Sequence, residues 1–275
     1  MKERGLHALA GRMAEIDRSP GPLPDDLYHI IRIMDGVTSS TRRGDVSILP
    51  LLKPSTADAL QQGSRVLARL ASTLPGVVDG PMTAAQYWVV TGPDATTPRS
   101  LRFSRPADHR GKLIHVQPHR VGLYTSAGAV GTRGMWQMYL ELQGQSTFYP
   151  LPWNVWYMQP RPKIQIAEIG SANDWASLVC AHPRRQGDLL YPDWWSIHRA
   201  YDAVHIALRA AVAIQGILLH SGGELIAPAY WDIEQTFWMR WCFERVALVE
   251  RVEMVRYIRS HPRRISPEPG NRPCP

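Results

Sequence analysis

Residues 229–241 read AYWDIEQTFWMRW. Acidic and polar residues alternate here with large aromatics, which predicts a strand over 228–241. Successive side chains of a strand point to opposite faces. Tyr230, Asp232, Glu234 and Thr236 then share one face, and Trp231, Ile233 and Phe237 point the other way, into a core. An acid in the middle of such a strand is costly unless it meets water, a partner or a ligand. Two readings follow. Asp232 and Glu234 lie on a solvated face and pair with arginines, or Glu234 projects into a pocket.

Upstream, QYWVVTG at 86–92, SLRFSR at 100–105, KLIHVQ at 112–117 and VGLYTSAG at 121–128 read as further strands. They are rich in β-branched and aromatic residues and are bounded by turn formers. KIQIAEIG at 163–170 alternates strictly, while GMWQMYLEL at 134–142 has helical spacing. Asn173 or Asp174 is the expected cap of a helix running through Val179. The run 191–220 fits one long helix, or a short helix, a strand YDAVHIAL and a second helix. The Glu/Arg spacing of ERVALVERVEMVRYI at 244–258 favours a helix over a continuing strand.

Nearer the N-terminus, residues 2–17, 26–35 and 56–74 carry helical spacing, with Thr56 a cap for the last. SPGPLP at 19–24 breaks the first, and SSTRRGD at 39–45 is loop. The organisation is therefore a helical N-terminal part over 1–80, an α+β part over 81–258, and a disordered basic tail over 259–275.

Composition limits the function classes. The chain has 275 residues, of which 44% are hydrophobic and 20% charged, a globular profile. No apolar run approaches the ~18 residues of a membrane span, and residues 1–19 lack the continuous apolar core of a secretion signal. Three cysteines, Cys180, Cys242 and Cys274, form no close-spaced pattern, which implies a reducing, cytoplasmic setting. The net charge of +7 is either solvated surface or a face for nucleotides or nucleic acid. Arg251, Arg256, Arg259, Arg263, Arg264 and Arg272 crowd its C-terminal end.

Three segments carry candidate chemistry. Glu234 is the acid of the opening stretch. Tyr124 and Ser126 share a strand face in GLYTS, where a ring beside a hydroxyl suits a flat heterocycle, or the ring is a core aromatic. Arg102 and Ser104 share a face in SLRFSR, and a planar guanidinium suits a phosphate. No P-loop, dinucleotide fingerprint or GxSxG elbow occurs. Cys180 and His182 on one strand face would offer metal-ligating atoms, but without a CxxC or HxxxH companion no metal is expected. His198 and His205, seven apart, are expected to be ordinary partly buried histidines, and Cys242 a buried small hydrophobe. The many tryptophans either stack nucleic-acid bases or fill a β-rich core.

The order of an arginine strand, an LYTS segment and a late strand with Glu between aromatics resembles the ADP-ribosyltransferase fold, the split-sheet scaffold of NAD-using toxins and their relatives. The resemblance covers about residues 84–245. It implies an α+β split, twisted sheet with YDAVHIAL as an inner strand. It also implies that NAD is the substrate, for ADP-ribosyl transfer to a protein, nucleic acid or small molecule, or for hydrolysis. Glu234 would then bond the nicotinamide ribose and stabilise the oxocarbenium-like state. Tyr124 would stack on nicotinamide, Ser126 would place the ribose, and Arg102 would hold the diphosphate. In a related NAD-degrading arrangement Arg120 joins Arg102. Asp232 stands where a Glu-x-Glu pair would have its first acid, which argues against arginine modification. The alternative is a non-enzymatic module whose basic surface meets nucleic acid or another protein chain.

Overall fold

A computed structural model describes residues 26–32, 34, 65–92, 98, 122–130, 133–143 and 149–254. The strand-like runs 100–105 and 112–117, the helix expected over 2–17, the loop 39–45 and the tail 259–275 lie outside them. The architecture is α+β.

Strands β1 (Gln86–Thr91), β2 (Leu123–Val130), β4 (Trp153–Pro160), β5 (Ile166–Ile169), β8 (Ala203–Ile206), β11 (Gln235–Trp238) and β12 (Phe243–Val252) make the main sheet. Their order is β12-β4-β1-β2-β11-β8-β5, and the short β3 (Arg133–Gly134) pairs with β2 beside this path. The pairings are antiparallel except that of β5 with β8. Parallel neighbours need a long crossover. It runs through α3 (Ala172–Ala181), β6 (Pro183–Gln186), β7 (Leu189–Pro192) and α4 (Trp194–Ala200). A second sheet has the order β6-β7-β10-β9, with β9 at Leu219–Ser221 and β10 at Glu224–Ile226. Helices also include α1 (Pro75–Val78), α2 (Met135–Gln143) and α5 (Leu208–Ile214), besides helical residues at 26–32, 34 and 65–71.

The sheet has two unequal faces. Phe237 stands between Tyr124 and Val204 on the flanking strands, and these side chains join the large core with Trp175, Trp194 and Trp231. Helical residues 26–32 and 65–71 feed the same core through Leu27, Ile30, Ile31, Val66, Leu67 and Leu70. These helical residues thus pack into the sheet's own core. Polar contacts fasten them. Tyr28 donates to Glu141, which also pairs with Arg133 at 2.7 Å, and Arg69 pairs with Asp26 at 2.7 Å. The opposite face carries a smaller cluster with Leu123, Met158, Ala203, Trp238, Cys242 and Phe243.

Several local expectations need correction. Within 228–241 only Gln235–Trp238 is strand, and β11 is covered on both faces, so polar alternation there does not separate core from solvent. The stretch after Phe243 is the ten-residue strand β12, not a helix. Glu and Arg fit either periodicity, whereas Val246, Val249 and Val252 are stiff at χ1 and suit a strand beside β4. Of the two readings of 191–220, helix, strand, helix is realised, with β8 an inner strand. Ser171 caps α3 by accepting from the Asp174 amide, and Asp174 in turn accepts from Gly170 N and Ser171 Oγ. Cys180 lies in α3 and His182 caps its end, so the two share no strand face.

Trp231 anchors the aromatic core. Its ring lies 6.0 Å from Trp175, 6.4 Å from Trp194 and 6.3 Å from Tyr124. Trp231→Ala should lower the unfolding free energy by about 3–5 kcal/mol in urea denaturation. An unchanged midpoint would show that this cluster is not core.

Candidate functional site

The register of the central strands lines up Glu168, His205 and Thr236, and Glu234 joins His205 from two residues before Thr236. Glu168 on β5 is opposite His205 on β8, which is opposite Thr236 on β11. Directly opposed residues project from the same face of a sheet, so all three lie on the smaller-core side. His205 has no exposure. Its Nδ1 meets Glu168 Oε2 at 2.6 Å, and its Nε2 meets Glu234 Oε1 at 3.2 Å.

Glu234 is also without exposure. It lies just before β11, where a continued ladder would bring the backbone opposite Ala127, since Phe237 pairs with Tyr124 and Thr236 with Thr125. Its carboxylate takes over that ladder position. The Ala127 N–H donates to Oε2 at 2.9 Å and to Oε1 at 3.2 Å. A buried acid is tolerated here because both of its oxygens have donors.

The row opens to solvent only at Glu168, whose side chain is 37% exposed. Its Oε1 accepts from the Met82 N–H at 3.1 Å. Gly80, at φ +77°, lies against it: a Cβ there would stand 3.7 Å from Glu168 Oε2 and from His205 Cε1. Next to Gly80, Asp79 pairs with Arg209 in the first turn of α5 at 2.5 Å. The corner is thus built from the loop after α1, the end of β5, β8 and the start of α5.

Burial pulls the His205 pKa down, because the charged form loses its water. The hydrogen bonds to Glu168 and Glu234, together with their charges, outweigh that and hold it at about 9. The raised pKa favours the imidazolium form, in which both ring nitrogens donate to the flanking carboxylates.

The four residues singled out in the sequence fall in three places. Glu234 belongs to the row. Tyr124 and Ser126 lie on β2 next to Ala127 but face the other way, into the large core. Tyr124 stacks on Phe237 with ring centres 4.8 Å apart, and burial raises its phenol pKa well above the usual value. Ser126 is fully buried, and its Oγ accepts from the Trp136 N–H at 3.0 Å. The sheet itself thus stands between these two side chains and the Glu234 carboxylate. Arg102 and Arg120 lie outside the described residues. Trp153, Trp194, Trp231 and Trp238 are buried in the cores, and Trp156, Trp195 and Trp241 are half-buried. Burial raises the Cys242 thiol pKa to about 11, which makes it a poor nucleophile.

Glu168 and His205 were not legible as a pair. Glu168 sits in the alternating run KIQIAEIG, and His205 in the apolar run YDAVHIAL, 37 residues later. The signal available was one ionisable residue inside each of two apolar strands.

Among the described residues, no group of three or more His, Cys, Asp or Glu side chains is arranged to hold a metal ion, and no helix is long and apolar enough to cross a membrane. No protein-family model, curated protein or solved structure matches the chain.

The sign of the pH dependence follows from His205. Its folded pKa of about 9 lies above the ordinary 6.5. Its contribution to stability is complete below the ordinary value and is lost as pH rises through the folded one. The melting temperature should therefore fall between pH 6.5 and about 9. In His205→Asn this slope should flatten. A wild-type melting temperature that stays level across the window would contradict a charged His205.

Proposed function

We propose that the corner at Glu168, His205 and Glu234 is the acid–base centre of an enzyme, with Glu168 the group that meets substrate. The observation that carries this reading is the buried His205 ring held between two carboxyl groups, only one of which reaches solvent. Ionisable groups are expensive to bury, and clusters of them with perturbed pKa values concentrate at functional sites. Their place supports the reading too. Glu168 and His205 lie near the C-terminal ends of the parallel strands β5 and β8, each followed by a helix, and such ends are favoured ligand positions in parallel sheets.

NAD is the substrate this reading takes from the resemblance, with ADP-ribosyl transfer or NAD hydrolysis as the reaction. The bond between ribose C1′ and the nicotinamide nitrogen breaks, nicotinamide leaves with the electron pair, and positive charge builds on the ribose. Glu168 is placed to stabilise that charge. Glu234, enclosed and bonded to Ala127 N, acts through His205 as a positioning residue. Arg209, at the same corner, is an anion-binding candidate alongside Arg102. The roles of Tyr124 in stacking and Ser126 in placing ribose draw no support from their positions in the core. Water, a protein, a nucleic acid or a small molecule accepts the ADP-ribosyl group.

A second reading, a non-enzymatic interaction or assembly module, is favoured by one feature. The edge strand β12 exposes Leu248 and Val249 at 47% and 40%.

Nicotinamide release from NAD, measured with and without cell extract as a source of acceptors, separates the readings. The wild type should release it. Glu168→Gln should slow release by about 10²–10³-fold, the loss typical of one electrostatic group. Glu234→Gln should slow it less and change its pH profile through His205. No release under either condition removes the NAD reaction and leaves the interaction module, and equal release from all three proteins removes Glu168 and Glu234 as the groups that drive it.

A further inference from the structure

We infer that β12 is a self-association edge, pairing antiparallel with β12 of a second copy of this chain about a dyad at Ala247. Among the described residues, β12 ends the main sheet, with β4 on its inner side and no strand beyond. An edge strand presents unpaired backbone N–H and C=O groups to any strand of matching pattern.

The pattern that matches is its own. Residues 244–251 read ERVALVER, so charges at one end are answered by opposite charges at the other. A two-fold axis perpendicular to a sheet keeps each side chain on its own face. An unbroken ERVALVER would violate this, because its centre falls between Ala247 and Leu248, which face opposite ways. The structure removes the obstacle. The register against β4 slips twice, leaving Glu244 and Val249 out of the pairing, so Arg245 and Glu250 are the charges that can answer one another across a dyad. Arg245, Ala247 and Glu250 then stand opposite Gln159, Tyr157 and Val155, all on one face. Val246 and Leu248 stand opposite Met158 and Trp156, on the other.

With Ala247 on the axis, Arg245 opposes Glu250 of the second copy, and Glu250 opposes its Arg245. On the reverse face Val246 opposes Leu248, again twice. Moving the axis to Leu248 sets Glu250 against Ala247 and Arg251 against Val246, with no charge answered. The Ala247 register is thus selected by charge and apolar matching together. Gln137 already donates to Glu250 Oε2 at 3.3 Å, which orients that carboxylate from the helix side. One edge of this length buries little area, so the dimer is of the weak, transient class, with a dissociation constant on the order of 10–100 μM. This inference does not depend on the chemistry proposed for Glu168, and either can fail alone.

Sedimentation velocity over ~1–300 μM brackets that range. The wild type should shift from monomer to dimer. Arg245→Glu and Glu250→Arg should each weaken association by about tenfold or more, since like charges then face one another. The double reversal should restore it. Circular dichroism of each variant reports whether it has folded. As a second measurement, Ala247→Cys should form a disulfide-linked dimer under mild oxidation, above the wild-type background, because opposed residues at a dyad stand within disulfide reach. Arg251→Cys should not. A wild type that stays monomeric throughout overturns the inference. So does dimerisation indifferent to the single reversals, or crosslinking no better at Ala247 than at Arg251.

Discussion

A histidine without access to water centres a chain of contacts that holds four strands and a loop in fixed relation. His205 on β8 reaches Glu168 on the neighbouring β5 and Glu234, just before β11, on its other side. Glu234 continues to β2 through the Ala127 amide, and Glu168 to the loop after α1 through the Met82 amide. Each of these groups would be costly to bury alone. Together each has a partner, and the geometry tolerates little slip, because losing one contact strands the next group without water. Such a chain of polar contacts sets the register of the sheet's centre more sharply than the apolar residues around it, which accept one another in many arrangements.

The same register decides which candidate residues can cooperate. Period-two alternation separates β2 into two sets. Thr125 lies with Thr236 and His205; Tyr124 and Ser126 lie with Phe237 and Val204. A ligand on one side of the sheet meets one set only. The resemblance to NAD-using folds asks Glu234, Tyr124 and Ser126 to act on one molecule, and the sheet separates them. The proposal above therefore gives the carboxylate's role to Glu168, the solvent-facing end of the hydrogen-bonded row.

Legibility followed the physics of each segment. Strands β1 and β2 and helix α2 could be read because QYWVVT, LYTSAG and MWQMYLEL each carry one unambiguous periodicity. The region 228–241 misled because β11 is central. With both faces covered, alternation of polar and apolar residues marks two kinds of interior, one hydrogen-bonded and one aromatic. The region after Phe243 misled because Glu and Arg spaced for helical pairs also fit an edge strand. The site itself was half legible. Glu234 stood out against its aromatic neighbours, whereas His205 and Glu168 sit 37 residues apart and meet only because two strands run parallel in register, which no local pattern announces.

Strand β12 shows why an edge can carry information that a core does not. Natural sheets protect their edges with charge, and Glu244, Arg245, Glu250 and Arg251 serve that end against strands of arbitrary sequence. Protection by charge has a built-in exception: a strand bearing the complementary charges in reverse order is admitted. For an antiparallel dimer that strand is the same sequence read backwards, so a charge palindrome protects against strangers and admits its own copy. The irregularity at Val249 bears on this point. Without it Arg245 and Glu250 would project from opposite faces and could not meet across a dyad, and the palindrome would have no structural consequence. With it, the two charges and the central Ala247 lie on one face, and the apolar Val246 and Leu248 on the other. The register slip at Val249, costly in ladder hydrogen bonds, converts a self-repelling edge into a self-complementary one.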